Sequence, residues 1–324
     1  MKQKTIVWII VSIILIVVGC MLFAGVMARL NWDFTKLATS KYTETEHSIS
    51  QNFRDITVLA DTERITLVPS PDGKTKVVCH EQDNIVHTVS VIDGTLAIET
   101  QDNRKWYEYI SIQFDSPRIT VYLPAGTYGA FSSRSSTGDV DIPADFGFES
   151  IDIDVSTAAV KCLASATGEV RIRTSTGSIV VEKLSASTLD LSVSTGRVTV
   201  TDVTCQGELS VKVSTGKATL KNVTCQSFVS EGNTGDLTLS RVAVGEKLSV
   251  TRSTGDVKFD RCDAGQIFVQ TDTGDVTGSL LTDKVFFAQT DTGRVDVPKT
   301  AAGGRCEITT DTGDIKITIN KLQY

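Results

Sequence analysis

Histidine is scarce in this chain of 324 residues, and its three copies are His47, His80 and His87. The region after residue 130 therefore has no Ser/His or Cys/His pair of the kind that nucleophilic catalysis requires. The seven cysteines show no C-x-x-C spacing and no patterned histidine partner, which argues against a zinc site. We predict that the protein is not an enzyme and uses no cofactor.

Positive charge is also in deficit. Lysine and arginine number 32 against 39 aspartates and glutamates, so the net charge is −7 and the pI is near 5.1. Such a chain has no excess of cations with which to neutralise phosphates. We expect no nucleic-acid partner.

Charged side chains are absent from residues 5–28, a run of 24 positions. As a helix this run would be about 36 Å long, enough to cross a bilayer. It exceeds the apolar core of a usual signal sequence, so we interpret it as an uncleaved transmembrane anchor. Cleavage after Val26-Met27-Ala28 and lipidation at Cys20 are the alternatives. Residues 1–4 then form a cytoplasmic tail, residues 29–50 form a polar juxtamembrane linker, and the rest lies outside the cytoplasm.

A five-residue phrase, Ser/Asn/Asp-Thr-Gly-x-apolar, recurs every 19 or 20 residues. Such constant spacing is typical of a stacked repeat. The short polar side chain at the first position is suited to hold a turn, and Gly supplies the backbone freedom that a sharp corner needs. One degenerate copy has Ala and is expected to bend differently. The third position of the phrase is occupied by Gly138, Ala158, Gly177, Gly196, Gly216, Gly235, Gly255, Gly274, Gly293 and Gly313.

Apolar residues alternate on both sides of each phrase. In the Gly196 copy, Leu189 and Leu191 precede the corner, and Val198 and Val200 follow it. This alternation is typical of strands with one buried face. A further Gly ten residues after several phrases indicates a second bend. We predict an all-β fold, a single-stranded, parallel β-helix-like solenoid of about ten coils over residues 131–324.

Residues 51–130 lack the strict period but contain short apolar segments separated by turn signals such as Asp93-Gly94. We interpret them as an irregular β cap over the first coil. Within the repeats, Cys205 and Cys225 both lie nine residues after a phrase Gly and are expected to stack on successive coils. Buried thiols are the first interpretation, and a disulfide is the alternative.

Acidic residues gather at the phrases nearest the C-terminus. Asp-Thr-Gly is the tripeptide of aspartic proteases, but seven copies have Ser or Asn at the Asp position, so protease activity is not expected. Carboxylate oxygens suit Ca²⁺, yet Arg294 is expected to stack between two of them. Calcium is therefore a weaker alternative to a solvated edge. Its candidate ligands are Asp272, Asp275, Asp291, Asp311 and Asp314.

Aromatic residues concentrate at Trp106, Tyr107 and Tyr109, beside Arg104 and Lys105. Buried, these rings would belong to the core of the cap. Exposed, they would stack on a sugar or contact a partner. The sequence leaves both interpretations open.

The chain resembles the putative-adhesin family of bacterial β-strand-repeat proteins (domain of unknown function 4097, LiaG-like). The resemblance covers roughly residues 50–320 and rests on the leader, on the segments 93–98 (DGTLAI) and 121–124 (VYLP), and on the repeated Ser-Thr-Gly-Asp-Val phrase. It brings no catalytic motif. It implies a bacterial cell-envelope location and, for some relatives, an association with envelope stress responses.

We therefore expect a single-pass protein of the bacterial cell membrane whose extracytoplasmic rod presents a binding, adhesin-like surface. The expected ligand is a cell-wall polymer or another envelope protein. The alternative is an envelope stress component that acts through a membrane partner. The last coil, Ile315–Ile319, has few residues after it to cover its edge, so end-to-end self-association is expected, and Ile317→Pro would weaken it.

Overall fold

The computed structural model describes residues 3–37, 41–106, 108 and 115–320. Within them the chain forms the helix α1 (Gln3–Arg29), a short 3-10 helix (Phe34–Leu37) and 23 strands. The strands are β1 (Tyr42–Ile49), β2 (Asp55–Leu59), β3 (Arg64–Pro69), β4 (Thr75–Gln82), β5 (Ile85–Ile92), β6 (Thr95–Asp102), β7 (Arg118–Leu123), β8 (Gly126–Thr137), β9 (Val140–Ile142), β10 (Phe146–Cys162), β11 (Ser165–Ala166), β12 (Glu169–Glu182), β13 (Ser185–Ala186), β14 (Thr188–Cys205), β15 (Glu208–Cys225), β16 (Ser227–Thr234), β17 (Leu237–Thr254), β18 (Val257–Thr273), β19 (Val276–Leu280), β20 (Lys284–Thr292), β21 (Val295–Asp296), β22 (Gly304–Thr312) and β23 (Ile315–Ile319).

Each phrase forms one coil of a parallel β-solenoid, and we name each coil by the residue at the third position of its phrase. β14 of the Gly196 coil pairs in parallel with β15 of the Gly216 coil, which places Leu189 beside Leu209 and Val198 beside Ala218. These inward side chains are buried in one continuous core. The predicted all-β solenoid of about ten coils is confirmed.

Each coil has a third side that the sequence pattern did not reveal. Six residues after the corner Gly in five coils, a non-Gly residue turns the chain with φ between 51° and 55°. In the Gly196 coil this residue is Asp202, and the inward side chains of Val203 and Cys205 follow it. The core of this coil is therefore filled from three sides, by Leu189, Leu191, Val193, Val198, Val200, Val203 and Cys205. The five turn residues are Lys183, Asp202, Asn222, Arg241 and Arg261.

The nine phrase glycines have φ between 127° and 153°, a region that residues with a side chain rarely adopt. The coils also approach closely at this corner. A methyl group on Gly216 would overlap the carbonyl oxygen of Gly196, so the phrase contains Gly for two separate steric reasons. Ala158, in the degenerate copy, bends without a positive φ.

The last two coils are stacked in the reverse of their sequence order. β18, which leads into Gly274, pairs with β22 of the Gly313 coil, and β22 pairs on its other side with β20 of the Gly293 coil. The Gly313 coil thus lies between the other two. The prediction that Ile315–Ile319 ends the rod is wrong, since Ile317 is 2% exposed. The irregular segment 297–303 gives the chain the length to step back across one coil.

A similar reversal occurs at the other end. β2 and β3 form a coil that pairs in parallel with the Gly138 coil, and β6 and β7 form the next coil outward. Antiparallel strands complete this end, with β5 on β6, β4 on β7 and β1 on β4.

The region predicted as an irregular cap, residues 51–130, therefore contains two further parallel coils. Its boundary at residue 130 falls inside β8. Part of the predicted linker, residues 29–50, is the strand β1. The first of these coils could not be recognised from the sequence because its corner is Asp61-Thr62-Glu63, which has no Gly at the third position.

The helix α1 carries its apolar side chains on its surface. The span Thr5–Arg29 has a mean hydropathy of 3.1, and none of its most apolar window is buried. By length and composition this helix can cross a membrane. Its apolar span, Thr5–Arg29, is one residue longer than the predicted anchor, residues 5–28.

Candidate functional site

Carboxylates line the phrase corner of the solenoid at four coils that are consecutive in space. We call Asp236, Asp256, Asp275 and Asp314 the acid column. In each step a carboxylate oxygen accepts the backbone N–H of the next aspartate, at N···O distances of 3.3, 2.9 and 2.8 Å. These hydrogen bonds hold the side chains along the corner, one coil apart.

Arg294 ends the acid column and does not interrupt it. Its backbone N–H donates to Asp314 Oδ1 at 2.8 Å, on the side of Asp314 away from Asp275. The prediction that Arg294 stacks between these two aspartates is wrong because the last two coils are reversed. Four carboxylates therefore follow one another along the corner without a cation between them in the stack.

The five aspartates considered as calcium ligands lie on the last three coils. Asp272, Asp291 and Asp311 are exposed at the first position of their phrases, and Asp275 and Asp314 belong to the acid column. In the part of the chain that the structure describes, the group of three ligand-type side chains that converges within 4.8 Å lies elsewhere. Calcium at this corner stays an untested alternative to the solvated edge.

Trp106 lies in the connection between β6 and β7, on the outermost coil of the end that carries β1. Its side chain is 79% exposed, so the surface interpretation applies to this residue and the core interpretation does not. Beside it, the Lys105 backbone N–H donates to Glu108 Oε2 at 2.9 Å and the Lys105 carbonyl accepts the Glu108 N–H at 2.9 Å. Tyr107 and Tyr109 lie outside the described residues.

Four side chains with ligand or acid–base chemistry converge inside the same end of the rod, and we call Glu63, Cys79, Glu81 and His87 the buried cluster. His87 Nδ1 lies 3.0 Å from Glu81 Oε1, and His87 Nε2 lies 3.3 Å from Glu63 Oε1. The side chains of His87 and Glu63 are fully buried, and that of Glu81 is 12% exposed. Cys79 is buried too.

Strand geometry and a modified corner build this cluster. Cys79 and Glu81 are two apart on β4 and so share a face, and His87 follows on β5. Glu63 holds the position of the phrase Gly in its coil, because its carbonyl is the group that a methyl on Gly138 would overlap. Its Oε2 accepts the N–H groups of Asp61 and Thr62 at 2.8 and 2.9 Å.

The groups of the buried cluster shift one another's pKa values. Burial alone would raise the pKa of Glu63, but hydrogen bonds from His87 and the backbone hold that pKa below its usual value. Burial would lower the pKa of His87, yet the two carboxylates raise it. Burial and the charges of Glu81 and Glu63 raise the pKa of Cys79 to about 12. The cluster thus favours the charged forms of Glu63, Glu81 and His87 and the neutral form of Cys79.

Sequence reasoning missed the buried cluster. It tested for C-x-x-C spacing and for histidines inside the repeats, whereas the usable signal was Cys79-His80-Glu81 followed closely by His87. Residues two apart on a strand point the same way, so this spacing places a thiol and a carboxylate together. Glu63 carried no signal, since its corner is recognisable only from the stacking.

A single apolar helix followed by a stack of short parallel coils defines a β-solenoid protein with a leader able to cross a membrane. The chain belongs to the Toastrack DUF4097 family, whose sequence profile matches residues 53–318. The resemblance inferred from the sequence is thereby confirmed. Comparison with curated proteins gave no match.

Several solved structures are similar to this chain. The crystal structure of a putative adhesin from Parabacteroides merdae has a TM-score of 0.50 and 12% identity, covering 86% of this chain and 96% of that one. A putative adhesin from Parabacteroides distasonis has a TM-score of 0.48 and 14% identity, covering 85% and 97%. One from Bacteroides fragilis has a TM-score of 0.40 and 17% identity, covering 86% and 97%. At 12% identity, the similarity to the Parabacteroides merdae structure concerns the fold alone. We draw no conclusion from the other two structures.

Proposed function

We propose that the protein is a non-enzymatic, membrane-anchored rod that presents a binding surface outside the cytoplasm of a bacterial cell. The observation that carries this proposal is α1, which precedes the solenoid in the chain and holds apolar side chains such as Trp8 (71% exposed) on its surface. A helix of that kind gains free energy by entering lipid. The rigid stack of coils that follows holds its outward side chains in fixed positions, which is suited to binding a ligand.

Two surfaces of the rod are candidates for binding. Trp106 marks the end that carries β1, the first strand after α1, and its exposed indole suits stacking on a sugar ring or a partner's apolar group. The acid column and the exposed aspartates mark the opposite end. We assign ligand binding to the Trp106 surface, with a cell-wall polymer as the ligand, because carboxylates would repel anionic polymers.

The test is sedimentation of the full chain, in detergent micelles, with purified bacterial cell walls. Saturable binding is expected, and Trp106→Ala should abolish most of it. Trp32→Ala is the matched control, because Trp32 is also exposed but precedes the rod. Binding unaffected by Trp106→Ala would contradict the assignment, and binding lost on adding EDTA would move it to the aspartates and a divalent cation.

A second candidate function is a component of an envelope stress response that acts through a membrane protein. It is favoured by β1, which pairs with β4 on one edge and has no strand partner on the other among the described residues. A membrane partner could add a strand there. Photo-crosslinkers placed at Thr43 and, as a control, at Asp311 would separate the two functions, because only the partner hypothesis expects a protein adduct confined to Thr43.

A further inference from the structure

We propose that Cys79, Glu81 and His87 form a binding site for Zn²⁺ that closes the β1-bearing end of the core. This inference concerns the buried cluster and does not depend on the proposed binding function.

The donor geometry supports the site. One ligand atom from each of the three residues lies within 4.8 Å of the others. Zn–S bonds of about 2.3 Å and Zn–N or Zn–O bonds of about 2.0–2.2 Å place tetrahedral ligands roughly 3.3–3.8 Å apart. His87 Nδ1 and Glu81 Oε1, at 3.0 Å, are already close to that spacing, and a modest side-chain movement brings in the sulfur of Cys79.

Glu63 orients the imidazole for this role. Its Oε1 lies 3.3 Å from His87 Nε2, and both are buried atoms without a hydrogen-bond partner. Metal-bound histidines usually donate their other ring N–H to a carboxylate or carbonyl, which fixes the tautomer and the ring direction. If the ring turns so that Nε2–H donates to Glu63 Oε1, Nδ1 keeps its lone pair for a metal on the side of Glu81, which it already contacts at 3.0 Å. Glu63 is thus a positioning residue.

The charge of the cluster also favours a cation. Among the described residues, neither Glu63 nor Glu81 forms a salt bridge with Lys or Arg, and His87 is the partner of both. Zn²⁺ binding would release the thiol proton of Cys79 and the Nδ1 proton of His87 to solvent. The thiolate and the Glu81 carboxylate then neutralise the metal, while Glu63 keeps its two backbone N–H donors and its Oε1 accepts the Nε2–H.

The donor set selects the metal. One sulfur, one imidazole nitrogen and one carboxylate oxygen suit Zn²⁺, whereas Mg²⁺ and Ca²⁺ prefer oxygen alone. The ligands come from β4 and β5, which extend two different sides of the coil, and Glu63 belongs to the corner of the next coil. A bound ion would therefore join β4 and β5 to the stack beneath them.

The first experiment uses the full chain in detergent micelles, stripped of metal, and titrates it with Co²⁺. The expected result is one Co²⁺ per chain with a thiolate-to-cobalt charge-transfer band, displaced by Zn²⁺. Cys79→Ser should abolish the band, whereas Cys262→Ser, another buried thiol, should keep it. Absence of the band in the wild type, or its persistence in Cys79→Ser, would overturn the proposal.

A second measurement covers the case in which Cys79→Ser does not fold. X-ray absorption of the Zn²⁺-loaded wild type should show one sulfur at about 2.3 Å, and a shell of oxygen and nitrogen only would overturn the site. Glu63→Gln should weaken Zn²⁺ binding by about 10–100-fold while leaving one metal per chain. Unchanged affinity in that variant would remove Glu63 from the positioning role.

Discussion

Gly216 meets two steric demands at a single position. Its φ is 138°, and an added methyl group would overlap the carbonyl oxygen of Gly196 in the neighbouring coil. The obstacle is backbone on both counts, so a side-chain rearrangement cannot relieve it. The phrase tolerates Ala only where the chain bends without a positive φ, as it does at Ala158.

We expect Gly216→Ala to lower the free energy of unfolding by at least about 2 kcal/mol, through strain and lost stacking. Gly126→Ala is the control, because a methyl group there has no atom within 4 Å and φ is not positive. Chemical denaturation of the full chain in micelles measures both. Equal stability of the two variants would contradict the steric argument.

The cysteines of the rod are free thiols in apolar surroundings. Burial raises the pKa of Cys162 and Cys306 to about 12, and the same cause, with a contribution from Cys205, raises the pKa of Cys225 to about 12. Cys205 and Cys225 are unbridged, so the thiol interpretation applies and the disulfide alternative does not.

The rate of alkylation of these thiols should rise with pH. The reactive thiolate accumulates only as the pH approaches the pKa, so iodoacetamide at pH 8 should leave Cys162, Cys225 and Cys306 unmodified until the chain is unfolded. Thr224→Cys, at an exposed position next to Cys225, is the control and should react at once. Mass spectrometry reads the sites, and rapid native modification of Cys225 would contradict the burial.

At the scale of the strand, one substitution checks the inward register. Val257 begins β18, is fully buried and lies between Leu237 and Val276 of the neighbouring coils. Val257→Asp should lower stability by about 3 kcal/mol or more, because an unpaired charge enters the core.

The neighbouring Lys258 provides the matched control, since its side chain is exposed on the same strand. Lys258→Asp should change the free energy of unfolding by no more than about 0.5 kcal/mol. Thermal unfolding of both variants is sufficient. A Val257→Asp protein that unfolds like the wild type would mean that the alternation has been assigned to the opposite face.

The repeat period predicted the coils but not their order. The phrases are spaced by 19 residues from Gly274 to Gly293 and by 20 from Gly293 to Gly313. The alternation of apolar and polar residues is the same for either stacking order, so the sequence did not indicate that the last two coils are reversed. The third side was missed because its turn residues, such as Asp202 and Arg241, share a backbone conformation and not a side-chain type. One coil of the predicted cap was missed because Glu63 occupies the position of the Gly that defines the phrase.

At the scale of the whole molecule, end-to-end self-association stays a prediction. Because β20 and not β23 lies at the end of the rod, substitutions on β20 are the ones that test it. The far end of the rod is β20, whose outer edge has no strand partner among the described residues. Phe287 is 52% exposed on that strand. Unpaired edges of this kind are where sheets of two copies join, so the partner expected here is a second copy of the chain.

Lysine on this edge should prevent the pairing, because two copies would place like charges together. We expect Gln289→Lys combined with Asp291→Lys to shift the full chain toward monomer in sedimentation velocity. Thr224→Lys, exposed on a coil that is paired on both sides, should not. Association unchanged by the edge variant, or a strictly monomeric wild type, would refute the idea.

The reversed order of the last coils constrains how the rod can be made. A chain that leaves the ribosome N-terminus first releases residues 284–297 before residues 304–319, yet the earlier segment stacks on the later one. The Gly293 coil has no coil to stack on in its final position until the Gly313 coil has formed. Any earlier contact between the Gly293 and Gly274 coils must break before the Gly313 coil can pack between them. The last two coils must therefore reach their final positions in the reverse of the order in which they are synthesised.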